Sequence, residues 1–120
     1  MRKGYVPGAG DLIWVDFDPQ AGREQAGRRP ALVLSPALYN RRTGLLVGCP
    51  VTSRPKGYPF EVQVPGSTAK NAVRGAVLVD HVKSIDWRER RAEPAGRLEA
   101  SGVEAVKELL GILLQMGERR

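Results

Sequence analysis

Residues Pro19–Gly57 read PQAGREQAGRRPALVLSPALYNRRTGLLVGCPVTSRPKG, and the two apolar runs in this stretch decide the fold. Pro30–Ser35 (PALVLS) is apolar on both faces, which is typical of a central strand covered on both sides. Because proline cannot donate a ladder hydrogen bond, we expect this strand to begin at its proline. The second run, Leu45–Val51, predicts the next strand. Between the two runs, Pro36–Arg42 can form one helical turn.

Outward from this stretch, short runs of β-forming residues alternate with turn residues. Tyr58–Val64 (YPFEVQV) shows the two-residue period of a strand with one solvated face. Pro19–Arg29 and Thr52–Gly57 read as polar loops, the first long enough to be functional. The further predicted strands are Leu12–Phe17, Ala76–Val79, Val82–Ile85 and Arg90–Leu98.

The end of the chain predicts one long helix. Ser101 followed by Glu104 has the spacing of a capping box, and Gly117 is placed to end the helix. Its apolar side chains recur at helical spacing on one face: Val103, Val106, Leu110, Leu113 and Leu114. We therefore expect one domain of the α+β class, mainly β: a small, strongly bent β-barrel with short helices and a C-terminal α-helix.

The charge of the chain favours a polyanionic partner. The 120 residues carry a net charge of +6, and the sequence pI is about 10.0. Residues 1–60 hold nine basic and four acidic groups, so most of the excess lies in the N-terminal half. Clustered cations gain from releasing phosphate counterions. A basic surface that only keeps the protein in solution explains the same charge equally well.

The single cysteine, Cys49, lies inside an apolar run and is expected to be buried. A chain with one cysteine forms no intramolecular disulfide, which fits a reducing cytoplasm. The first residues lack an apolar signal-peptide core, and no apolar run approaches 18 residues, so neither a signal peptide nor a membrane span is predicted. With His81 as the only histidine and no carboxylate pair at ligand spacing, we expect no metal site and no cofactor.

A carboxylate surrounded by cations is the most suggestive chemical feature. RNA can be cut without a metal ion if its own 2′-hydroxyl attacks phosphorus, which needs a base and a cation for the phosphorane charge. Glu24, held ionised by its neighbours, can accept a proton. Arg29 or Arg28 can hold phosphate oxygens with forked donors, and Thr52 can bind the phosphate or position the hydroxyl. Spacing alone nevertheless favours the structural interpretation: a surface ion pair, a solvated run and a turn residue.

Other residues are candidates for RNA contacts, each with a structural alternative. Tyr39 and Asn40 can stack on or hydrogen-bond a base, or cap a turn. His81 is more often a hydrogen-bonded structural histidine than a base. A basic and aromatic patch suited to single-stranded nucleic acid is formed by Arg54, Lys56 and Tyr58.

Several motifs in a fixed order resemble the MazF/PemK family of toxin endoribonucleases. These are YVPGAGDLIWVDFDPQAGREQAGRRPALVLSP, YNRRTG, CPVTS, KGYPFEV and DHVKSIDWR, which span about Tyr5 to Trp87. The joint occurrence of E-Q-A-G-x-R-P, a T-G turn, P-x-T and K-G-Y-P-F-E is far more specific than any one of them. This resemblance reverses the preference for the structural interpretation.

The resemblance implies a compact SH3-like barrel that forms a homodimer and cleaves single-stranded mRNA at a short sequence motif. Cleavage is expected to need no metal and to leave a cyclic phosphate and a 5′-hydroxyl. It also implies a cognate antitoxin with an acidic, flexible segment. The family's arginine, threonine and loop glutamate fall on Arg29, Thr52 and Glu24, with Ser53 beside the threonine. Arg28 stands where some relatives have histidine.

Two other functions are compatible with the sequence. One is a non-enzymatic toxin of the same architecture that inhibits a protein target such as a topoisomerase, which would not require the pair Arg29 and Thr52. The other is a barrel that binds RNA and leaves the strand intact. For the homodimer, residues Ile85 to Trp87 together with the helix face are the surface that the sequence offers as an interface.

Overall fold

The computed structural model describes residues 4–17, 27–65 and 73–117 of the chain. Within these residues the chain forms seven strands, two α-helices and one short 3-10 helix. In chain order the elements are β1 (Asp11–Phe17), β2 (Gly27–Val33), α1 (Ala37–Thr43), β3 (Leu45–Thr52), β4 (Glu61–Val64), β5 (Gly75–Leu78), the 3-10 helix (Val79–His81), β6 (Lys83–Asp86), β7 (Glu93–Arg97) and α2 (Ala100–Leu113).

The strands form one strongly bent antiparallel sheet in the order β4-β5-β3-β2-β1-β7. Strand β6 also pairs with β3, along residues 45–48, whereas β5 pairs with residues 51–52 at the other end of β3. The predicted α+β, mainly β architecture with an SH3-like bend and a C-terminal helix is confirmed. No helix within the described ranges combines the length and apolar character needed to cross a membrane.

Two apolar clusters explain why the central strands are apolar on both faces. Along β2, Leu32 belongs to one cluster, whereas Ala31 and Val33 belong to the other, as the alternation of a strand requires. Helix α2 covers the first cluster, with Val106 fully buried against it. Trp87 fills the second cluster. Strand β2 is therefore central, as its sequence predicts.

The position of Pro30 differs from the prediction. It lies in the middle of β2 opposite Trp14, three residues after the strand begins at Gly27. The pairing of β2 with β3 begins only at Ala31. On that side, therefore, no carbonyl of a neighbouring strand needs a backbone N–H donor at residue 30, and Pro30 is tolerated. The expected loop therefore ends earlier than Arg29, and both Arg28 and Arg29 are strand residues.

The first half of the predicted strand Tyr58–Val64 is instead a turn. The Glu61 carboxylate accepts hydrogen bonds from the backbone N–H of Lys56, at 3.1 Å, and of Gly57, at 2.9 Å. The backbone N–H of Glu61 donates to the Tyr58 carbonyl over 3.1 Å. These bonds fold residues 56–61 into a compact turn, so β4 begins only at Glu61.

Helix α2 also departs from the prediction at both ends. Its N-cap is Glu99, and no side chain caps it, so the proposed capping box of Ser101 and Glu104 is wrong. The helix begins as soon as the chain leaves β7, which places Ser101 inside it. At the other end α2 stops at Leu113, before Gly117, and Gln115 adopts a left-handed conformation with φ 58°. Leu113 and Leu114 are consequently exposed rather than packed.

Asn40 and Trp87 form a buried polar contact that ties α1 to the second cluster. The Trp87 indole donates to the Asn40 carbonyl over 2.9 Å, and Trp87 is only 2% exposed. Ile85 is buried in the same cluster. Residues Ile85 and Trp87 are therefore part of the core of the protomer, and their prediction as an interface is wrong.

Cys49 is fully buried, as expected from its apolar surroundings. Desolvation of the thiolate, together with the negative charge of Asp80, raises the pKa of the Cys49 thiol from 9.0 to about 12. The thiol is therefore protonated at neutral pH and has the character of a small apolar side chain.

Candidate active site

The candidate site is a cleft that opens where β2 and β3 separate. The two strands pair only from Ala31 opposite Pro50 to Val33 opposite Gly48. Beyond that point the start of β2 stays paired with β1, while the end of β3 pairs with β5. Continuing the β2–β3 register by two residues would set Arg29 opposite Thr52. The divergence of the strands thus opens a gap, which Arg29, Val51 and Ser53 line but Thr52 does not.

A cavity of about 300 Å³ occupies this gap, and we call it the arginine cleft. Strands β1 and β2 contribute Trp14, Arg28, Arg29 and Pro30, and the opposite side is formed by the end of β3 and by the residues before β5. The residues lining that opposite side are Val51, Ser53, Val73 and Arg74. The described part of the lining thus contains three arginines and no carboxylate, so it favours an anionic ligand.

Arg29 is half-buried and faces the arginine cleft from a paired strand. Its backbone is held opposite Val15 of β1, in the centre of the β1–β2 ladder. Strand residues are positioned more accurately than loop residues, so this guanidinium is a well-placed donor for a phosphate.

Arg28 is committed to ion pairs, although it lies next to Arg29. Its guanidinium donates to Asp16 over 2.9 Å, to Glu93 over 3.2 Å and to the Arg91 carbonyl over 2.9 Å. Arg91 in turn donates to the other oxygen of Asp16 over 2.7 Å. The hydrogen bonds from Arg91 and then Arg28 lower the pKa of the Asp16 carboxyl below its ordinary value. Arg28 therefore anchors the edge of the cleft more than it offers donors to a ligand.

Thr52 is the last residue of β3 and is half-buried. Its hydroxyl oxygen accepts a hydrogen bond of 3.1 Å from the backbone N–H of Arg54. An ideal Cβ at Gly75 would lie 1.8 Å from the Thr52 carbonyl oxygen, so only glycine allows β5 to approach so closely. The start of β5 thereby fixes the backbone of Thr52.

The remaining predicted site residues are distributed unevenly. Ser53 lines the arginine cleft, and Arg54, Lys56 and Tyr58 are exposed on the turn that follows β3. Tyr39 is 41% exposed on α1 and His81 half-buried on the 3-10 helix, and neither lines the cleft. Glu24 lies outside the described residues.

The prediction of Asn40 as an RNA contact is wrong, because this residue has a structural role. It is fully buried, and its side-chain amide donates to the carbonyls of Pro7, at 2.8 Å, and Ser35, at 3.0 Å. Its side-chain oxygen accepts from the Ser35 hydroxyl at 2.6 Å. With its polar atoms engaged inside the protein, Asn40 cannot reach an RNA.

Two residues of the site escaped the sequence prediction. Arg74 ends a polar connection with no periodic pattern, and Trp14, inside the predicted strand Leu12–Phe17, is half-buried and lines the cleft. The one local signal was the Arg-Gly pair at residues 74–75, since a glycine before a strand often marks a close approach of two backbones. The described residues contain no group of three or more His, Cys, Asp or Glu side chains arranged to hold a metal ion.

Comparison with known proteins gives consistent matches over nearly the whole chain. The family described as PemK-like, MazF-like toxin of type II toxin–antitoxin system matches residues 9–114. The endoribonuclease toxin MazF of Escherichia coli K12 is 48% identical over 114 residues, which cover 95% of this chain and 99% of that protein.

Two solved structures from Deinococcus radiodurans share the fold. The crystal structure of MazF is 58% identical, with a TM-score of 0.86 over 93% of this chain and 99% of that one. A MazE–MazF crystal structure contains a chain that is 56% identical, with a TM-score of 0.83 over 94% of this chain and 100% of that one.

Proposed function

Because the chain belongs to the PemK-like, MazF-like toxins of type II toxin–antitoxin systems, we propose that this endoribonuclease cleaves single-stranded mRNA without a metal ion, at a short sequence motif. The observation that carries this proposal is the arginine cleft, in which Arg29 and the end of β3 face each other across the separated strands. The relatives named as endoribonucleases support the same reaction class.

The proposed reaction is an intramolecular transfer at phosphorus. The 2′-hydroxyl oxygen attacks the adjacent phosphorus and loses its proton to a base, while the bond from phosphorus to the 5′-oxygen breaks. That oxygen takes up a proton, so the products are a 2′,3′-cyclic phosphate and a 5′-hydroxyl. No water is consumed in this step, and no redox change occurs.

Arg29 is proposed to stabilise the charge that develops on the phosphorane oxygens. Its forked donors match two phosphate oxygens, and its position on a paired strand means that little reorganisation is needed during the reaction. Thr52 is proposed to bind the phosphate or position the 2′-hydroxyl. Glu24 is proposed as the base because cations surround it in the sequence and because the family's loop glutamate falls on this residue.

The proposed partner is a cognate antitoxin with an acidic, flexible segment. The solved MazE–MazF complexes contain the Deinococcus proteins. A partner of the same kind is inferred for this chain because it belongs to the same toxin family. An acidic segment would bind the basic lining of the arginine cleft and compete with RNA. Competition would make inhibition dependent on RNA concentration.

The protein is further proposed to form a homodimer and to act in the cytoplasm. Exposed apolar side chains lie near the end of α2, among them Ile112, Leu114 and Met116, and these would gain from burial against a second copy. Sedimentation that finds only monomer at micromolar concentration would contradict the dimer. The reduced, buried Cys49 is compatible with a cytoplasmic location.

The test is to incubate the purified protein with a long single-stranded RNA in excess EDTA and to map the fragment ends. We expect discrete cuts that share a short motif and carry 5′-hydroxyl ends. A substrate with deoxyribose at the cleavage position should resist cutting, because the attacking hydroxyl is missing. Intact RNA after incubation with folded protein would contradict the nuclease and would favour a toxin that inhibits a protein target. Cutting only after added metal would contradict the metal-independent mechanism.

A further inference from the structure

Arg74 lies on the side of the arginine cleft opposite Arg29. It directly precedes β5, and its side chain is exposed and lines the cleft together with Ser53. No carboxylate or carbonyl of the described residues bonds its guanidinium, in contrast to Arg28, which bonds Asp16, Glu93 and the Arg91 carbonyl. As far as the described residues are concerned, Arg74 therefore keeps its donors available to a ligand, at a place where the cleft is already basic.

The backbone on both sides of Arg74 is fixed. Val73 is only 1% exposed and belongs to the first apolar cluster. Gly75 has φ 121° and lies against the Thr52 carbonyl, where no other residue fits. Arg74 is thus attached to a rigid part of the cleft, so placing its guanidinium costs only the entropy of its own side chain.

The size and charge of the cleft define the ligand. A volume of about 300 Å³ is at the lower end of the range for ligand pockets, roughly 300–1,000 Å³, and suits one nucleotide unit rather than a folded ligand. A guanidinium offers forked donors to a phosphate, and the neighbouring Ser53 hydroxyl can donate to the same group.

We propose that Arg74 binds a backbone phosphate of the RNA next to the phosphate that is cleaved. This inference rests on the proposed nuclease function, in which Arg29 holds the cleaved phosphate from β2. With Arg29 on one strand and Arg74 at the start of another, two consecutive phosphates are held from opposite sides of the cleft. Arg74 is therefore a binding residue that keeps the RNA in register.

The experiment measures RNA binding rather than cutting. The probe is an RNA oligomer that carries the mapped motif and a deoxyribose at the cleavage position. Its Kd is measured at several salt concentrations for the wild type, Arg74→Ala, Arg74→Lys and the control Arg42→Ala. Arg42 is an exposed cation on α1 that does not line the cleft, so it matches the charge change at another place.

For Arg74→Ala we expect affinity to fall by about tenfold. The slope of log K against log salt should decrease by about 0.7, the contribution of one phosphate contact on a single strand. Arg74→Lys should retain the slope with intermediate affinity, because it keeps the charge and loses the forked geometry. Arg42→Ala should bind like the wild type. Thermal unfolding of all variants should match the wild type, since both side chains are exposed.

The outcomes separate the two proposals. If the wild type binds and cuts RNA and Arg74→Ala matches Arg42→Ala in affinity and slope, the assignment of Arg74 is overturned while the nuclease stands. A weaker Arg74→Ala with an unchanged slope overturns the phosphate contact. If Arg74→Ala loses affinity only for an acidic peptide and not for RNA, the residue serves a protein partner and the proposal is wrong. A wild type that neither binds nor cuts RNA overturns both proposals.

Discussion

Gly75 lies directly against Thr52: a Cβ added to Gly75 would fall 1.8 Å from the Thr52 carbonyl oxygen. The contact joins the start of β5 to the end of β3, where Thr52 pairs with Ala76. It also sets the distance between the two chain segments that form one side of the arginine cleft. The absence of a side chain at one residue therefore determines the shape of the candidate site.

Replacing Gly75 with alanine is expected to separate β5 from β3 and to displace Thr52. The positive φ of 121° alone would cost about 1–3 kcal/mol in a non-glycine residue, and the clash with backbone adds to this. The free energy of unfolding, measured in urea, should fall by more than the strain alone accounts for. RNA cutting at a temperature where the variant is folded should also fall.

Gly57→Ala is the matched control for Gly75→Ala. Gly57 has φ 77°, and an added Cβ there meets no atom within 4 Å, so this variant carries the strain without the clash. Equal losses of stability in the two variants would show that the contact with Thr52 is not what requires Gly75.

Arg29→Ala is expected to abolish RNA cutting while the fold is kept. Removing one preorganised donor from a developing charge costs about 10²- to 10³-fold in rate. Cleavage of the mapped RNA motif is measured for Arg29→Ala and for Arg42→Ala, and circular dichroism checks the fold of both. Cutting by Arg29→Ala at the wild-type rate would remove this residue from the proposed mechanism.

Asp16→Asn is expected to weaken the protein at neutral pH and much less in acid. The pKa of Asp16 in the folded protein is lowered below its ordinary value of 3.8 by hydrogen bonds from Arg91 and Arg28. A depressed carboxyl pKa contributes stability that is fully present above the unfolded value and is lost as the pH falls through the folded value. The difference in urea midpoint between wild type and variant should therefore be present at pH 7 and shrink below about pH 3.8.

Glu104→Gln is the control for this pH dependence. Glu104 is exposed on α2, and its ion pair with Lys107 has a separation of 3.9 Å, so its removal should change little at either pH. A midpoint difference for Asp16→Asn that is the same at pH 7 and pH 3 would contradict the role of its ionised form.

Asn40→Ala is expected to destabilise the fold without affecting RNA contact. The substitution leaves the carbonyls of Pro7 and Ser35 without their donors in the interior, at a cost of about 1–3 kcal/mol for a buried unsatisfied group. The exposed neighbour Tyr39 provides the control, since Tyr39→Ala should leave the melting temperature nearly unchanged. Normal stability of Asn40→Ala combined with weaker RNA binding would reinstate Asn40 as an RNA contact.

The sequence by itself determined the class of the fold and the family. PALVLS is apolar at every position between its proline and serine, and a strand with this pattern must be covered on both faces, as β2 is. The helical spacing of apolar residues likewise placed α2 near the end of the chain. Among the site residues, Arg29 could be identified from the sequence because it lies in the local motif E-Q-A-G-x-R-P.

Only the tertiary structure decided which of these side chains can meet a ligand. Arg28 and Arg29 are adjacent and chemically equal in the sequence, but Arg28 is bound to groups 63 and 65 residues away. Asn40 looks like a surface residue until Pro7, 33 residues earlier, accepts its hydrogen bond. Arg74 enters the site because β2 and β3 separate and β5 approaches Thr52. Such contacts join distant parts of the chain, and a local pattern of residues carries no information about them.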